Sequence, residues 1–481
     1  MTGGKDRGLY SNPLTERYAS ASMSAIFSDR AKFVKWRQCW IALAEAQAEL
    51  GLDISPEQLE ELRAHREDIN YEFMEAKERE IRHDVMAAVL AYGEQCPKAR
   101  PIIHLGATSC FVTDNTELMQ YHEALLLILA RLKGAIAALA GFAERWKSLA
   151  CLSYTHFQPA QPTTLGKRAC LWLQDLVICF RDLERLLAEY RLLGAKGATG
   201  TQDSFLKLFG GDREKVRELD RRVCRKLGFE GSLSISAQTY TRLLDCRIMD
   251  CLKNISAAAH KMAVDWRLLQ HLKLVDEPFE KSQVGSSAMA YKRNPMRCER
   301  ICSLARFVLS LAAAADQTAA SQWLERSLDD SAGRRLYLPQ AFLGAEAVLI
   351  LARNVWAGAS VYPKAAERLL REQLPFLATE AILMQGVLRG ADRQSLHEAI
   401  RQRSVEAARA VKEEAADNRL LELLAEDPRV PFDLEELARI ACGSDFTGCA
   451  EQQVEEYLAE EVRPLLERHR GLREPEGEVR V

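Results

Sequence analysis

The sequence predicts an all-α protein with a central bundle of long helices, and three observations carry that prediction. From Tyr240 to Lys273, apolar residues recur every three or four positions, which is the period of one helix face. No glycine or proline interrupts this stretch, so as a single helix it would be roughly 50 Å long at 1.5 Å per residue. Alternating, strand-like patterns are almost absent from the chain. Helices of this length are typical of an elongated bundle.

Other segments share the helical period, and they differ in length along the chain. The remaining long segments cover residues 117–147, 165–193 and 296–323. The N-terminal part contains shorter helices between turn-prone stretches, and after Pro363 the helices shorten again at turns such as GADRQ and EDPRVPFD. We therefore predict three helical domains. They are an N-terminal domain (1–110), a central long-helix domain (111–362) and a C-terminal domain (363–481).

The composition restricts the classes of partner. With 65 basic and 68 acidic residues the formal net charge is −3, so we expect no nucleic-acid or membrane binding, which usually needs a basic excess. The longest apolar run, residues 124–130, is far shorter than a membrane span, and the first thirty residues contain no targeting pattern. Thirteen scattered cysteines form no C-x-x-C pair, which favours free thiols, a cytoplasmic setting and no metal site.

One polar loop interrupts the long helices. The stretch GSSAMAYKRNP, residues 285–295, lies between two apolar-periodic segments and starts with glycine. We predict that Asn294 caps the next helix and that Pro295 is its first residue, so the loop would end at a helix N-terminus, which favours an anion. Lys292 and Arg293 stand just before it. The stretch fits a capped surface loop, and its small residues also fit a mobile flap over a ligand.

A single histidine, His156, lies in the polar turn THFQPAQPTT rather than on an apolar stripe. Histidine is the side chain best suited to exchange protons near pH 7. A helix is predicted to start just after the turn, at Thr163 or Thr164. The spacing leaves a structural and a catalytic role both open.

Three more stretches bring hydroxyl and charged side chains together. RHDVMA starts at residue 82 and precedes a helical run, and HLGATS starts at residue 104 and offers small hydroxyl residues for a carboxylate. In ERSLDDSAGRR, a helix cap at Ser331 would form a phosphate cradle with Arg326 and Arg335. Each stretch alone also fits a cap or a solvated face.

Together, these stretches resemble the signatures of the fumarase/aspartase superfamily. GSSAMAYKRNP is similar to the superfamily pattern GSSxMPxKxNP, THFQPAQPTT to its histidine region and HLGATS to its first conserved region. The extension YKRNPMRCER, with RHDVMA and LDDSAGRR, resembles the adenylosuccinate lyases of the animal type. The resemblance covers nearly the whole chain, in order. Ala290 stands where the family usually has proline, which leaves the open loop more conformations to lose on closing.

The resemblance implies a reversible β-elimination that releases fumarate from small succinyl-nucleotide substrates. Adenylosuccinate would give AMP, and the succinyl-carboxamide ribotide of the purine pathway would give its aminoimidazole carboxamide product. It also implies three helical domains, a homotetramer with a twenty-helix core, active sites shared between subunits, and no cofactor. A helix of roughly 50 Å is expected to separate the histidine and serine segments, so that one chain would not close its own site.

The resemblance also implies roles for individual residues. Ser286 would be the general base that takes the proton from the succinyl β-carbon, and His156 the general acid that protonates the leaving nitrogen. The deprotonated carbon acid is a dianionic aci-carboxylate, so the site must supply cations and donors. A serine is a poor base unless its alkoxide is stabilised, and we attribute that stabilisation to the loop N–H groups and Lys292.

The substrate contacts implied by the resemblance form four sets. The set facing the aci-carboxylate is Lys292, Asn294, Thr108, Ser109 and Thr155. The phosphate set is Arg17, Tyr18, Arg326, Ser331 and Arg335. The nucleotide-side contacts are Arg82, His83 and Asp84, and the further substrate contacts are Gln238 and Arg300.

Two other functions stay open from the sequence. The chain would also fit another lyase of the superfamily, but the phosphate set argues against it because fumarase and argininosuccinate lyase substrates carry no phosphate. It would also fit a structural protein on a lyase scaffold, as lens crystallins related to argininosuccinate lyase illustrate. The intact Ser286, His156 and Lys292 argue against that alternative.

Overall fold

The computed structural model describes residues 8–280, 282–441 and 447–474, and it confirms the all-α prediction. The helices are α1 (Ala21–Ile26), α2 (Asp29–Glu49), α3 (Pro56–Ala64), α4 (Tyr71–Ile81), α5 (Asp84–Gln95), α6 (Ser109–Arg145), α7 (Leu165–Ala188), α8 (Asp203–Leu208), α9 (Arg213–Lys226), α10 (Leu243–His271), α11 (Met296–Ser321), α12 (Asp330–Gly358), α13 (Pro363–Leu377), α14 (Thr379–Leu388), α15 (Arg393–Glu413), α16 (Leu420–Ala425), α17 (Leu434–Ala441), α18 (Ala450–Tyr457) and α19 (Arg463–Arg468). Short helical turns cover Leu14–Tyr18, Arg100–Ile102 and Leu458–Val462. The strands are β1 (Ala150–Thr155), β2 (Gln158–Thr164), β3 (Val275–Asp276) and β4 (Ser360–Val361).

Helices α6, α7, α10, α11 and α12 form the central bundle. Contacts between the end of one helix and the start of the next show that successive helices run antiparallel. The ring of Trp266 near the end of α10 lies 5.7 Å from that of Phe142 near the end of α6, and 6.2 Å from that of Trp172 near the start of α7. The α11–α12 crossing is close, because a Cβ on Gly344 would lie 2.7 Å from a methyl carbon of Val308. Because successive helices run in opposite directions, the segments that connect them lie at two opposite ends of the bundle.

We name the two ends of the bundle by the segments they carry. The upper end carries residues 146–164, which follow α6, and residues 272–280 and 282–295, which follow α10. The lower end carries residues 104–108, 189–242 and 322–329, which precede α6, α10 and α12. Helix α10 spans the bundle between them.

The predicted long helices are present, with shifted ends. The segment 240–273 is α10, which starts at Leu243. Helix α6 starts at Ser109 rather than residue 117, because the polar stretch before 117 is held by tertiary contacts. The Asn115 side chain donates to the Gly194 carbonyl at 3.1 Å and accepts from the Gly194 N–H at 2.9 Å. Helix α7 ends five residues early, at Ala188.

The sequence predicted almost no strands, but the structure contains a β-hairpin that was not predicted. Strands β1 and β2 pair antiparallel, and their turn is formed by His156 and Phe157, both at positive φ (52° and 62°). Positive φ at both turn residues matches the right-handed twist of a two-residue hairpin. The prolines in β2 obscured the strand pattern, because proline is tolerated in sheets mainly at edges. The helix predicted to start at Thr163 or Thr164 begins one residue later, at Leu165, and Thr164 is its N-cap, since its side chain accepts from the Lys167 N–H at 3.1 Å.

Two hydrophobic cores divide the described residues. The larger core includes the central bundle and the N-terminal helices, with Trp40 and Trp266 among its buried side chains. A smaller core lies within residues 378–441 and includes Ile382 and Leu396. Helices α18 and α19 pack back on the larger core. The domain boundaries given by the sequence stay a prediction.

Among the described helices, α6 and α12 are long and apolar enough to cross a membrane by length and composition alone. In the structure, 56% of the most apolar stretch of α6 and 78% of that of α12 are buried inside the protein. This burial is typical of core helices in a bundle.

Candidate active site

The serine loop, residues 282–295, leads into α11 at the upper end and folds onto itself. The Ser286 hydroxyl oxygen accepts from the backbone N–H groups of Met289 (3.1 Å) and Ala288 (3.4 Å). A Cβ on Gly285 would lie 2.1 Å from the Lys292 carbonyl oxygen, so only glycine fits there. The loop thus places two N–H donors at the half-buried hydroxyl of Ser286, where negative charge on that oxygen would be stabilised.

The predicted cap at the start of α11 is wrong. The helix begins at Met296 with Pro295 in the capping position, and the Asn294 side chain donates instead to the Gly285 carbonyl at 3.1 Å. The two carboxylate oxygens of Glu277 accept from the Arg297 and Cys298 N–H groups, at 2.8 and 2.6 Å. Glu277 was missed because it lies about twenty residues away in sequence, beyond the range of local capping patterns.

Glu277 changes the electrostatics expected at this helix N-terminus. The side chain is buried, and burial raises its pKa, although the N–H groups of Cys298 and Arg297 oppose the shift. Its carboxylate already occupies the anion position that the sequence analysis left for a ligand. The helix N-terminus therefore anchors the base of the serine loop.

The upper end also carries His156, at the exposed tip of the β1–β2 hairpin. Helix α13 packs against β1, and the Gln161 side chain donates to the Glu380 carboxylate at 2.8 Å. The Arg168 side chain donates to the Leu152 carbonyl at the base of the hairpin. Thr155 is the last residue of β1, next to the histidine. These contacts hold the hairpin in place, and the His156 imidazole is exposed at its tip.

The lower end carries a second group of predicted site residues. The Gln238 N–H donates to the Glu325 carbonyl at 3.2 Å, and its side-chain amide donates to the Ala198 carbonyl at 2.9 Å. Its amide oxygen accepts from the Cys110 thiol, with a sulfur–oxygen distance of 3.3 Å. Burial raises the pKa of Cys110 to about 12, which keeps it a thiol donor. Thr108 and Ser109, at the start of α6, directly precede this cysteine.

The arginine segment lies at the same end. The Arg326 guanidinium donates to Asp330 at 2.8 Å, and that of Arg335 lies 3.6 Å from the Asp84 carboxylate. The prediction that Ser331 caps the next helix is wrong, because α12 begins at Asp330 and Ser331 lies in its first turn. The buried carboxylate of Asp330 thus pairs with Arg326, which is one of the two arginines of the predicted phosphate cradle.

Residues 82–84 reach the lower end through Asp84. Arg82 adopts positive φ (56°) where α4 ends, and the His83 ring nitrogen Nδ1 accepts from the Met86 N–H at 3.3 Å, capping α5. The carboxylate of Asp84 then faces Arg335. These contacts join the two charged sequence stretches in space.

A third group lies on α11, within two turns of its start. The guanidinium carbon of Arg300 lies 5.4 Å from the centre of the Tyr18 ring, within the range of a cation–π contact. Arg17 immediately precedes that tyrosine. The short turn containing them contacts α12.

Apart from this third group of Arg17, Tyr18 and Arg300, the predicted site residues of one chain therefore fall at two ends of the bundle. The upper end holds Thr155, His156, Ser286, Lys292 and Asn294, whereas the lower end holds Arg82, His83, Asp84, Thr108, Ser109, Gln238, Arg326, Ser331 and Arg335. Helix α10 has 29 residues, so the ends are roughly 43 Å apart at 1.5 Å per residue.

The expected separation of the histidine and serine segments is wrong. Two antiparallel helices, α7 and α10, lie between them in sequence and return the chain to the same end. The Trp172 indole N–H at the start of α7 donates to Asp265 near the end of α10, at 2.7 Å. Within one chain, the predicted site residues at the upper end are instead separated from those at the lower end.

No metal centre is evident among the residues that the structure describes. They contain no group of three or more His, Cys, Asp or Glu side chains placed to hold a metal ion. The site is instead rich in arginine, hydroxyl and amide groups, which suit anionic organic substrates.

Comparisons with known proteins agree with this arrangement of motifs. The family described as Lyase matches residues 16–309, and the family described as Adenylosuccinate lyase C-terminus matches residues 375–457. The chain is 50% identical over 465 residues to the adenylosuccinate lyase of Saccharomyces cerevisiae, covering 96% of each protein. It is 47% identical over 459 residues to that of Schistosoma mansoni, covering 95% of this chain and 96% of the relative.

A solved structure shows the same fold at lower identity. The fumarate lyase from Mesorhizobium sp. BNC1 superimposes with a TM-score of 0.80 at 23% identity, covering 94% of this chain and 100% of that one. Fold, motif order and near-full-length identity agree with one another. The chain belongs to the adenylosuccinate lyase family of the fumarase/aspartase superfamily.

Proposed function

We propose that this protein cleaves adenylosuccinate to AMP and fumarate, and cleaves the succinylaminoimidazole carboxamide ribotide in the same way. It would thus serve as a carbon–nitrogen lyase in purine nucleotide biosynthesis. The observation that carries the proposal is the 50% identity to an adenylosuccinate lyase over 96% of the chain. The site supports it with arginines for a phosphate and hydroxyl and amide groups for carboxylates.

In the proposed reaction, the Ser286 alkoxide takes a proton from the succinyl β-carbon. The backbone N–H groups of Met289 and Ala288 and the charge of Lys292 stabilise that alkoxide. The electron pair of the C–H bond first enters the adjacent carboxylate as the aci-carboxylate. It then returns to form the C=C bond of fumarate as the C–N bond breaks, and His156 protonates the departing nitrogen.

The proposed active site is assembled between chains of a homotetramer. Upper and lower groups lie roughly 43 Å apart in one chain, so the lower group of one chain would be completed by the histidine hairpin of a second chain and the serine loop of a third. Apolar side chains are exposed at both ends, including Phe157 (76%) at the hairpin tip and Ile235 (87%) and Leu324 (83%) at the lower end. Exposed apolar groups of this kind suit a surface that binds another chain.

A cytoplasmic location is part of the proposal. The cysteines of the described residues are all unpaired, and eleven of the twelve are at least partly buried. Unpaired thiols are the rule in a reducing compartment.

The proposed function is tested by incubating the protein with each succinyl nucleotide and following the ultraviolet change. We expect AMP and fumarate from adenylosuccinate, and competitive inhibition by added AMP. Argininosuccinate and malate serve as control substrates and are expected to give no product. Turnover of a control substrate would favour another lyase of the superfamily, and no turnover of either nucleotide would favour a purely structural protein.

Replacing Ala290 by proline is expected to lower the KM for adenylosuccinate about two- to fivefold, equal to roughly 0.4–1 kcal/mol. The Lys292 N–H donates to the Met289 carbonyl at 3.0 Å, which makes Ala290 the second residue of a turn, a position that favours proline. Steady-state kinetics measure the change. In the control Ala288→Pro, a donor to Ser286 is lost, so kcat should fall more than tenfold. An unchanged or higher KM in Ala290→Pro would contradict the prediction.

A further inference from the structure

Asp330, the first residue of α12, is a buried carboxylate between two arginines. Its side chain is 0% exposed. One oxygen accepts from Nη1 of Arg326 at 2.8 Å, and the other accepts from Nε of Arg242 at 2.7 Å. This aspartate lies within the stretch LDDSAGRR, in which the sequence pattern assigns it no role.

The second arginine extends the contact into the core. Nη1 of Arg242 donates to the Asp114 carboxylate at 3.0 Å, and the same oxygen accepts from the Tyr240 N–H at 3.2 Å. The Arg242 guanidinium also lies 4.4 Å from the centre of the Tyr240 ring. The four side chains Asp114, Arg242, Asp330 and Arg326 thus form one chain of alternating charge.

This charge chain joins three segments that carry predicted substrate contacts. Asp114 lies in the second turn of α6, which begins with Ser109. Tyr240 lies two residues after Gln238, and the last member, Arg326, belongs to the predicted phosphate set. The buried charge chain therefore fixes the positions of the segments with Ser109, Gln238 and Arg326 relative to one another.

Electrostatics keep the central carboxylate charged. Burial alone would raise the pKa of Asp330, but Arg242 and Arg326 outweigh burial and hold that pKa below its ordinary value. Buried ion pairs contribute little net stability, since the cost of desolvation offsets their attraction. We therefore interpret the ion pairs of Asp330 as holding the Arg326 side chain in one orientation before substrate binds.

We propose that Asp330 is the positioning residue of the phosphate subsite, acting through Arg326. Among the described residues, the hydrogen bonds of Arg326 use Nη1, to Asp330 and to the Ser327 carbonyl. In this proposal the bonds at Nη1 hold the guanidinium in place and leave its Nε and Nη2 N–H groups available to a phosphate. This inference rests on the proposed function, because it takes Arg326 as a contact of the nucleotide phosphate.

The test replaces Asp330 by asparagine in the full-length protein and measures inhibition by the two products separately. We expect the inhibition constant of AMP and the KM for adenylosuccinate to rise about ten- to hundredfold, the range for losing a hydrogen bond to a charged group. The inhibition constant of fumarate, which has no phosphate, is expected to change less than twofold, and kcat less than threefold. If Asp330 only stabilised the fold, its replacement would change the inhibition constants of AMP and fumarate to the same extent.

The neighbouring Asp329→Asn is the matched control. Asp329 is exposed, and its side chain does not contact the charge chain. We expect both inhibition constants to stay within twofold. If Asp330→Asn does not fold, Asp330→Glu is used instead, because it keeps the charge but displaces it by one methylene. This variant should still weaken the binding of AMP more than that of fumarate. Equal changes for AMP and fumarate, or none for AMP, would overturn the proposal.

Failure of this inference can be told apart from failure of the proposed function. Calorimetric titration of AMP into the wild-type protein and the Asp330→Asn variant needs no turnover. A wild-type protein that binds AMP but cleaves neither nucleotide would refute the lyase activity and leave the positioning role testable. Equal AMP affinity in the wild-type protein and the variant would refute the positioning role alone.

Discussion

Ser286→Ala is expected to lower kcat for adenylosuccinate about a thousandfold, within the range of roughly 10²–10⁴ for loss of a general base. The hydroxyl oxygen accepts two backbone N–H bonds, from Met289 and Ala288. These donors do not replace the oxygen that takes the proton, so alanine leaves the loop without a base. Single-turnover and steady-state assays of fumarate release measure the loss, and the KM is expected to change little.

The adjacent serine provides the control. Ser287 is exposed in the same loop, and we assign it no chemical role. The variant Ser287→Ala is expected to keep kcat within threefold of the wild-type value. Near-normal turnover in Ser286→Ala, or an equal loss in the two variants, would contradict the assignment of the base.

Replacing His156 is expected to lower kcat by about 10²–10⁴-fold, because the leaving nitrogen loses its proton donor. The position has φ 52°, which alanine adopts only with strain. Asparagine tolerates this conformation, so His156→Asn removes the imidazole and keeps the turn. The two variants should lose turnover equally, with thermal melting used to verify that the hairpin is folded.

Mixing two inactive variants tests whether the proposed site is shared. Ser286→Ala and His156→Asn chains are co-assembled after reversible dissociation. If the serine and the histidine of one site come from different chains, random 1:1 assembly restores about a quarter of the sites. The same variants refolded separately serve as the control. No recovery on mixing would show that one chain supplies the two residues.

The sequence predicted the helices well because their apolar period depends only on nearby residues. Residues 240–273 have that period without interruption, and α10 follows it closely. The β1–β2 hairpin escaped prediction because two prolines and two positive-φ residues, His156 and Phe157, leave no alternating pattern. Local patterning is therefore informative where a helix face is continuous and weak where turn geometry decides.

The site was predicted as a set of motifs but not as an arrangement. The GSSAMAYKRNP and HLGATS stretches are recognisable in sequence, whereas their placement at opposite ends arises because α6 crosses the bundle and α7 and α10 return the chain to the end that α6 reaches. Glu277 and Asp330 carry no motif that indicates their partners. Their partners lie in distant elements or form a buried charge chain, and only the folded chain brings them together.

The anchoring of the serine loop at Glu277 has a kinetic consequence. The Glu277 carboxylate holds the first turn of α11, and the Arg297 side chain contacts the Pro278 carbonyl and the Glu280 carboxylate. Because these contacts fix the two ends of the loop, its opening breaks bonds within it and few others, such as the one from the Gln270 side chain to the Arg293 carbonyl at 3.0 Å. Local openings of this kind require far less free energy than global unfolding. Amide hydrogens of Met289 and Lys292 should therefore exchange with solvent water much faster than those in the middle of α10.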